Sequence, residues 1–147
     1  MSDEARSVAA WEALFRAQVA IMRRLGADFP NGDISFNEYD VLFTLSRAPG
    51  RALRLRDLNK SLLLTQPSVS RMIDRLAARG LVEKRPDPRD ARGTVIRLTD
   101  AGYEAFYRVA HVHGASIHRV VGQALDADEL ATLTALCTKL RAQLPAV

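Results

Sequence analysis

The stretch Leu62-Leu-Leu-Thr-Gln-Pro-Ser-Val-Ser-Arg71-Met-Ile-Asp-Arg-Leu76, closed by Gly80, reads as a short amphipathic helix with a polar outer face. Thr65 is its N-cap, and Pro67 fits the first turn, where a backbone N–H has no intrahelical partner to lose. Val69, Ile73 and Leu76 recur at helical spacing on the inner side, and Gly80 supplies the left-handed residue that ends such helices. Gln66, Ser68, Ser70, Arg71, Asp74 and Arg75 are left facing outward. Upstream, Leu55, Leu58 and Leu62 mark another short helix over about 55–62, so Leu63-Leu64 is the tight connection of a helix-turn-helix.

Beyond Gly80 the period changes. Residues 81–85 and 94–98 are expected strands, separated by the turn-rich stretch Pro86-Asp-Pro-Arg-Asp-Ala-Arg-Gly93, which predicts a hairpin with an eight-residue tip. A helix-turn-helix followed by a hairpin is a winged helix, so the expected class is mainly α with a small β-hairpin wing. In that geometry the second helix of the pair enters the major groove of a duplex, and the hairpin reaches the neighbouring backbone or minor groove. Ser68 and Ser70 are small enough for close approach, Gln66 can pair with adenine, and Arg71 can pair with guanine or hold a phosphate; with Thr65, Pro67 and Arg75 they make up the expected DNA-binding set of this helix. Lys84, Arg89 and Arg75 are candidates for phosphate contacts, which fix register without reading sequence.

The charge distribution agrees. Residues 51–97 hold 12 basic side chains against 5 acidic ones, a balance of +7, while the rest of the chain carries −3 of the formal net +4. Such a local surplus suits a polyanion, because Lys and Arg gain affinity by releasing counterions from phosphates. The nine aromatic residues all lie outside 44–102, so the reading surface has no stacking platform for unpaired bases. Double-stranded DNA is the expected partner.

The flanks are helical. Val8, Trp11, Leu14, Phe15, Ile21, Met22 and Leu25 predict a helix over about 6–26, ending near Gly26. Ser35-Phe-Asn-Glu38 is a capping box opening a helix that buries Tyr39, Leu42, Phe43 and Leu45. A long helix runs from Thr99-Asp100 to about Gln123, with Phe106, Val109, Ala110, His113, Ile117 and Val120 on one side. Asp126-Ala-Asp-Glu129 is a second capping box, and Leu130, Leu133, Leu136, Leu140 and Leu144 stripe the last helix. These stripes are broader than one winged helix can cover, which points to a homodimer.

At 147 residues, 48% of them hydrophobic and 26% charged, the chain is expected to form a single domain over 1–147, with a DNA-binding lobe at about 35–100 and dimerisation helices at 6–26 and 100–145. No apolar run reaches the roughly 18–20 residues of a membrane span, and Met1 to Arg6 is acidic and polar, so the cytoplasm is the expected location. No Gly-rich phosphate loop, His-Glu-x-x-His or nucleophile elbow is present, so no catalytic residue and no cofactor is assigned. His111 and His118 lie seven apart with Glu104 seven before, a spacing compatible with a metal; structural histidines are the preferred reading, and no metal is assigned. Cys137, the lone cysteine, falls near the apolar stripe of the last helix and reads as a buried thiol.

One longer pattern unites these parts. The run Leu58…Leu62-Leu-Leu-Thr-Gln-Pro-Ser-Val-Ser-Arg71-Met-Ile-Asp-Arg-Leu76…Gly80-Leu-Val-Glu-Lys-Arg85…Asp87-Pro-Arg-Asp-Ala-Arg92…Leu98-Thr-Asp-Ala-Gly102 resembles the MarR family of winged-helix transcriptional regulators, and the helix order is similar from about residue 8 to 144. The resemblance implies a two-fold symmetric dimer whose first and last helices interlock, and a pseudo-palindromic operator with half-sites roughly 10 bp apart. It makes Arg92 the wing arginine that enters the minor groove, and Asp90 a residue that holds the hairpin tip. It also implies a repressor released by a small aromatic or phenolic effector, in a cleft lined by Trp11, Phe15, Tyr39, Phe43, Phe106 and Tyr107; core packing is the competing reading of those rings. A winged helix used only for protein–protein contact, and a metal- or redox-responsive regulator, are the alternatives. Two residues depart from the family pattern: Arg56 stands where a Ser or Thr helix cap is usual, and Asn59 where a small apolar residue is usual.

Overall fold

The computed structural model describes residues 1–62 and 66–145; the Thr65 cap and the Leu63-Leu64 connection lie outside the described residues. The elements are α1 (Asp3–Asp28), α2 (Phe36–Arg47), a 3-10 turn (Pro49–Arg51), β1 (Ala52–Arg54), α3 (Leu55–Ser61) and α4 (Gln66–Ala78). They continue with β2 (Val82–Asp87), β3 (Asp90–Leu98), α5 (Asp100–Ile117), a π turn (His118–Gly122) and α6 (Ala127–Gln143). The chain divides into two compact units. One is Asn31–His111, here the winged unit; the other joins Met1–Pro30 to residues 112–145, here the helical frame. No helix among the described residues is long and apolar enough to cross a membrane.

In the winged unit, α2 starts at its capping box: Glu38 N donates to Ser35 Oγ at 3.1 Å and Ser35 N donates to Glu38 Oε1 at 2.9 Å. Its buried face is Tyr39, Val41, Leu42 and Leu45. Phe43, expected inside, sits on the margin of that face and is exposed, with the Arg47 guanidinium 5.3 Å from its ring centre. α4 is strongly two-sided, with Val69, Met72, Ile73 and Leu76 buried. It stops at Gly80, whose φ of +74° is the left-handed conformation; Leu81 N then reaches back to Leu76 O at 3.0 Å and satisfies a terminal carbonyl.

The sheet has the order β1-β3-β2 and is antiparallel throughout. β1 has no counterpart in the sequence reading; its three residues pair with β3 in the register Ala52↔Arg97, Leu53↔Ile96 and Arg54↔Val95. The wing is also longer than expected. Pairing of β2 with β3 continues to Asp87↔Asp90, leaving Pro88-Arg89 as the tip in place of an eight-residue loop. Pro86 breaks no ladder because β2 is an edge strand, where a missing N–H goes unnoticed.

Thr99 fastens the root of the wing to the next helix. Its Oγ1 donates to Gly80 O at 2.7 Å and accepts from Gly102 N at 3.0 Å, while its own N–H donates to Leu81 O at 3.1 Å. Gly102 is required by closeness: a Cβ there would stand 2.0 Å from Leu81 O.

The helical frame is packed differently. α1 runs through Gly26, its expected end, and stops at Asp28, because Phe29 precedes Pro30 and is held in extended conformation. Leu25 is its one buried residue. The frame also encloses His113 and Ser116, with Phe29 edge-on to His113 at 5.3 Å and Arg119 donating to Ser116 Oγ at 2.8 Å. Ile117, expected inward, is exposed, and the α-helical pattern yields at His118 to the π turn that completes the expected span. α6 opens at the Asp126–Glu129 capping box, and Leu133, Leu136 and Leu140 on its stripe are exposed.

Candidate nucleic-acid interface

Burial of Val69, Met72, Ile73 and Leu76 turns the other side of α4 outward. Gln66, Pro67, Arg71 and Arg75 are exposed, and Ser68 and Ser70 are half-buried between them. Arg71 lies over Ser68, Nη2 to Oγ 3.4 Å, at the long limit of a hydrogen bond. Short hydroxyls beside a long guanidinium leave a surface a base edge could approach.

The wing tip is held from beneath. Asp87, with 3% of its side chain exposed, receives Arg54 Nε at 2.7 Å and Arg89 N at 2.9 Å. One floor pair therefore ties β1 to the turn, and removing Arg54 would leave the buried Asp87 carboxylate without its cation. Asp90 Oδ1 accepts from Arg92 N at 3.0 Å, so this carboxylate is engaged with the turn backbone. Arg89 and Arg92 are exposed.

Ion pairing sorts the basic residues of the unit into two sets. Arg79 is fixed to Glu38 and to Asp33 O, and Arg85 and Arg97 share Glu83. Lys84 Nζ is 2.6 Å from Asp74 Oδ1, so a phosphate would have to compete with that exposed pair. Arg56, Lys60, Arg71, Arg75, Arg89 and Arg92 meet no carboxylate within ion-pair distance among the described residues. Arg56 and Lys60 are absent from the sequence-based set; the signal that could have found Arg56 is its departure from the family cap position. The structure places the N-cap of α3 at Arg54, without a side-chain cap bond, and leaves Arg56 in the first turn.

Between α3, the first residue of α4 and the wing lies a cavity of about 280 Å³, lined by Arg54, Arg56, Asn59, Gln66, Asp87, Asp90, Arg92 and Thr94 among others. It brings one residue of the expected reading helix and two of the expected wing set to a common cleft. Asn59 Oδ1 is closed off from solvent with no donor among the described residues, the packing defect its unusual position foreshadows.

The aromatic residues fall into separate groups. In the winged unit Tyr39 stacks on Phe106 at 5.3 Å and on Phe43 at 6.3 Å, with Tyr103 and Tyr107 following at 6.2 Å from each other. Burial pushes the Tyr39 phenol above its ordinary pKa of 10.0. In the frame Trp11 and Phe15 pair at 5.6 Å, both exposed. Among the described residues no three His, Cys, Asp or Glu side chains are grouped to hold a metal ion, so Glu104, His111 and His118 do not converge.

A family model described as "MarR family" matches residues 32–93. The multiple antibiotic resistance protein MarR of Escherichia coli K12 is 32% identical over 108 residues, covering 74% of each chain. Among solved structures, Sco3205, a MarR family transcriptional regulator from Streptomyces coelicolor in complex with DNA, superposes with a TM-score of 0.77 at 25% identity, over 97% of this chain and 90% of that one. A mutant MarR from E. coli complexed with operator DNA gives 0.72 at 27% identity, over 99% of this chain and all of the other.

Proposed function

The chain belongs to the MarR family of winged helix-turn-helix, DNA-binding transcriptional regulators, and from that premise we propose that it is a homodimeric repressor reading a pseudo-palindromic duplex operator. In this reading α4 of each protomer enters a major groove, where Gln66, Ser68, Ser70 and Arg71 meet base edges. Arg92 carries the wing into the adjacent minor groove, Arg75 and Arg89 hold phosphates, and Lys84 holds one only on release from Asp74. The observation that carries it is the set of cations without carboxylate partners on α3, α4 and the wing tip, beside a face of small polar side chains. Positive charge left unneutralised in this pattern suits a polyanion better than a protein partner.

Selection of bound duplexes from random DNA by the purified protein tests the reading. The expected product is a two-fold repeat with half-site centres roughly 10 bp apart. Recovery of unrelated duplexes with no shared half-site would overturn it.

The effector part of the reading rests on the Tyr39–Phe43–Phe106 stack, whose Phe43 edge is open to solvent, with Tyr107 exposed on the same unit. A phenolic acid stacked there could release DNA only by preferring the dimer that binds DNA poorly. Titration of such acids into the protein–operator complex should show saturable release that Phe43→Ala weakens.

A further inference from the structure

In any duplex a single sugar–phosphate strand divides a major groove from the minor groove beside it. With α4 in one and the wing in the other, that strand must cross the cleft between them. We propose that this cavity seats a phosphodiester of the dividing strand and that Arg56 is the residue that clamps it; the proposal rests on the reading of the interface given above. Arg56 lines the cavity, is exposed, and has no carboxylate partner among the described residues. The other charges of the cleft are arranged to admit an anion. Asp87 is occupied by Arg54 and by a backbone N–H, and Asp90 by the backbone of Arg92, so both carboxylates are partly satisfied by the protein. Arg92 lines the wing side of the same cleft and adds to its positive charge, while the planar guanidinium of Arg56 can match two phosphate oxygens at once.

Asn59 lines the cleft from the same short helix as Arg56. Arg56 so placed touches no base. It sets the depth at which α4 enters its groove, as a contact that positions without specifying.

The test is the salt dependence of binding by the full-length protein to its selected duplex and to an unrelated duplex, for wild type, Arg56→Ala and Arg56→Lys. Loss of one phosphate contact should lower the slope of log K against log salt by about 0.9 for each Arg56 removed, on both duplexes alike. The preference for the selected site should be kept, and Arg56→Lys should restore most of the slope. Single neutral methylphosphonates placed along the selected duplex should include one position that weakens wild type and leaves Arg56→Ala unaffected. An unchanged slope in Arg56→Ala, with its melting temperature intact, would overturn the proposal, as would a scan in which no phosphate position couples to residue 56. Should wild type itself show no salt-dependent duplex binding, the reading of the interface fails first, and that outcome is seen before any variant is compared.

Discussion

The winged unit and the helical frame use apolar residues in opposite ways. In the winged unit Val41, Leu42, Leu45, Leu58, Val69, Leu76, Ile96 and Leu98 are sealed from solvent around the sheet. In the frame Leu25 is the one buried hydrophobic side chain among the described residues, while Val8, Trp11, Phe15, Leu136 and Leu140 stand open. Large apolar side chains left open in such number point to an association site. The winged unit thus carries its own core, whereas the frame leaves most of its large apolar side chains open, which is the physical basis for expecting a homodimer.

The contrast is broken most severely from inside the winged unit. Leu45 has no exposed surface, and Leu45→Ala should cost about 2–5 kcal/mol, read as a large fall in melting temperature. A fall no greater than that of Leu133→Ala, a truncation at an exposed frame position, would remove the distinction between the units.

On the frame side, the double variant Leu136→Glu, Leu140→Glu should dissociate the dimer in sedimentation while far-ultraviolet circular dichroism is retained. Operator affinity should drop by about 100-fold or more, because the two reading helices no longer act in tandem. Persistence of a dimer at micromolar concentration would mean that the α6 stripe lies outside the interface.

Within the interface, Arg92→Ala should weaken operator binding at least tenfold, about 1.4 kcal/mol, at matched salt without altering stability. Equal binding by the variant in a direct titration would remove Arg92 from the reading surface.

The smallest effect concerns pH. Burial holds the His113 imidazole below its ordinary pKa of 6.5, so the unfolded chain takes up a proton before the folded one does. Its contribution to stability is therefore intact above about pH 6.5, is lost as pH falls below that value, and stops changing once the lowered folded pKa is passed. Melting temperatures between pH 8 and pH 5 should decline more steeply for wild type than for His113→Phe; parallel curves would count against it.

Much of this architecture was legible where local chemistry leaves one solution. The two capping boxes and the Gly80 stop each depend on residues within a turn of one another, and the structure has them as read; the inner face of α4 holds Val69, Ile73 and Leu76 as read, with Met72 besides. What escaped depends on distant partners. β1 is three residues long, too short for any alternation, and exists because β3 offers it an edge. Pro86 looks like a turn residue until β2 is known to lie at the margin of the sheet. Of the interface, the outward residues of α4 followed from its period. The engagement of Lys84 by Asp74 and of Asp87 by Arg54 joins positions 10 and 33 apart, and no spacing rule announces such pairs.

Gly102 carries a consequence of another kind. Its place against the Leu81 carbonyl is fixed by the meeting of two backbones, and no chemistry is asked of the residue itself. Even one methyl group there would wedge the start of α5 away from the root of the wing. The angle at which the hairpin leaves the start of α5 is thus written in a missing side chain.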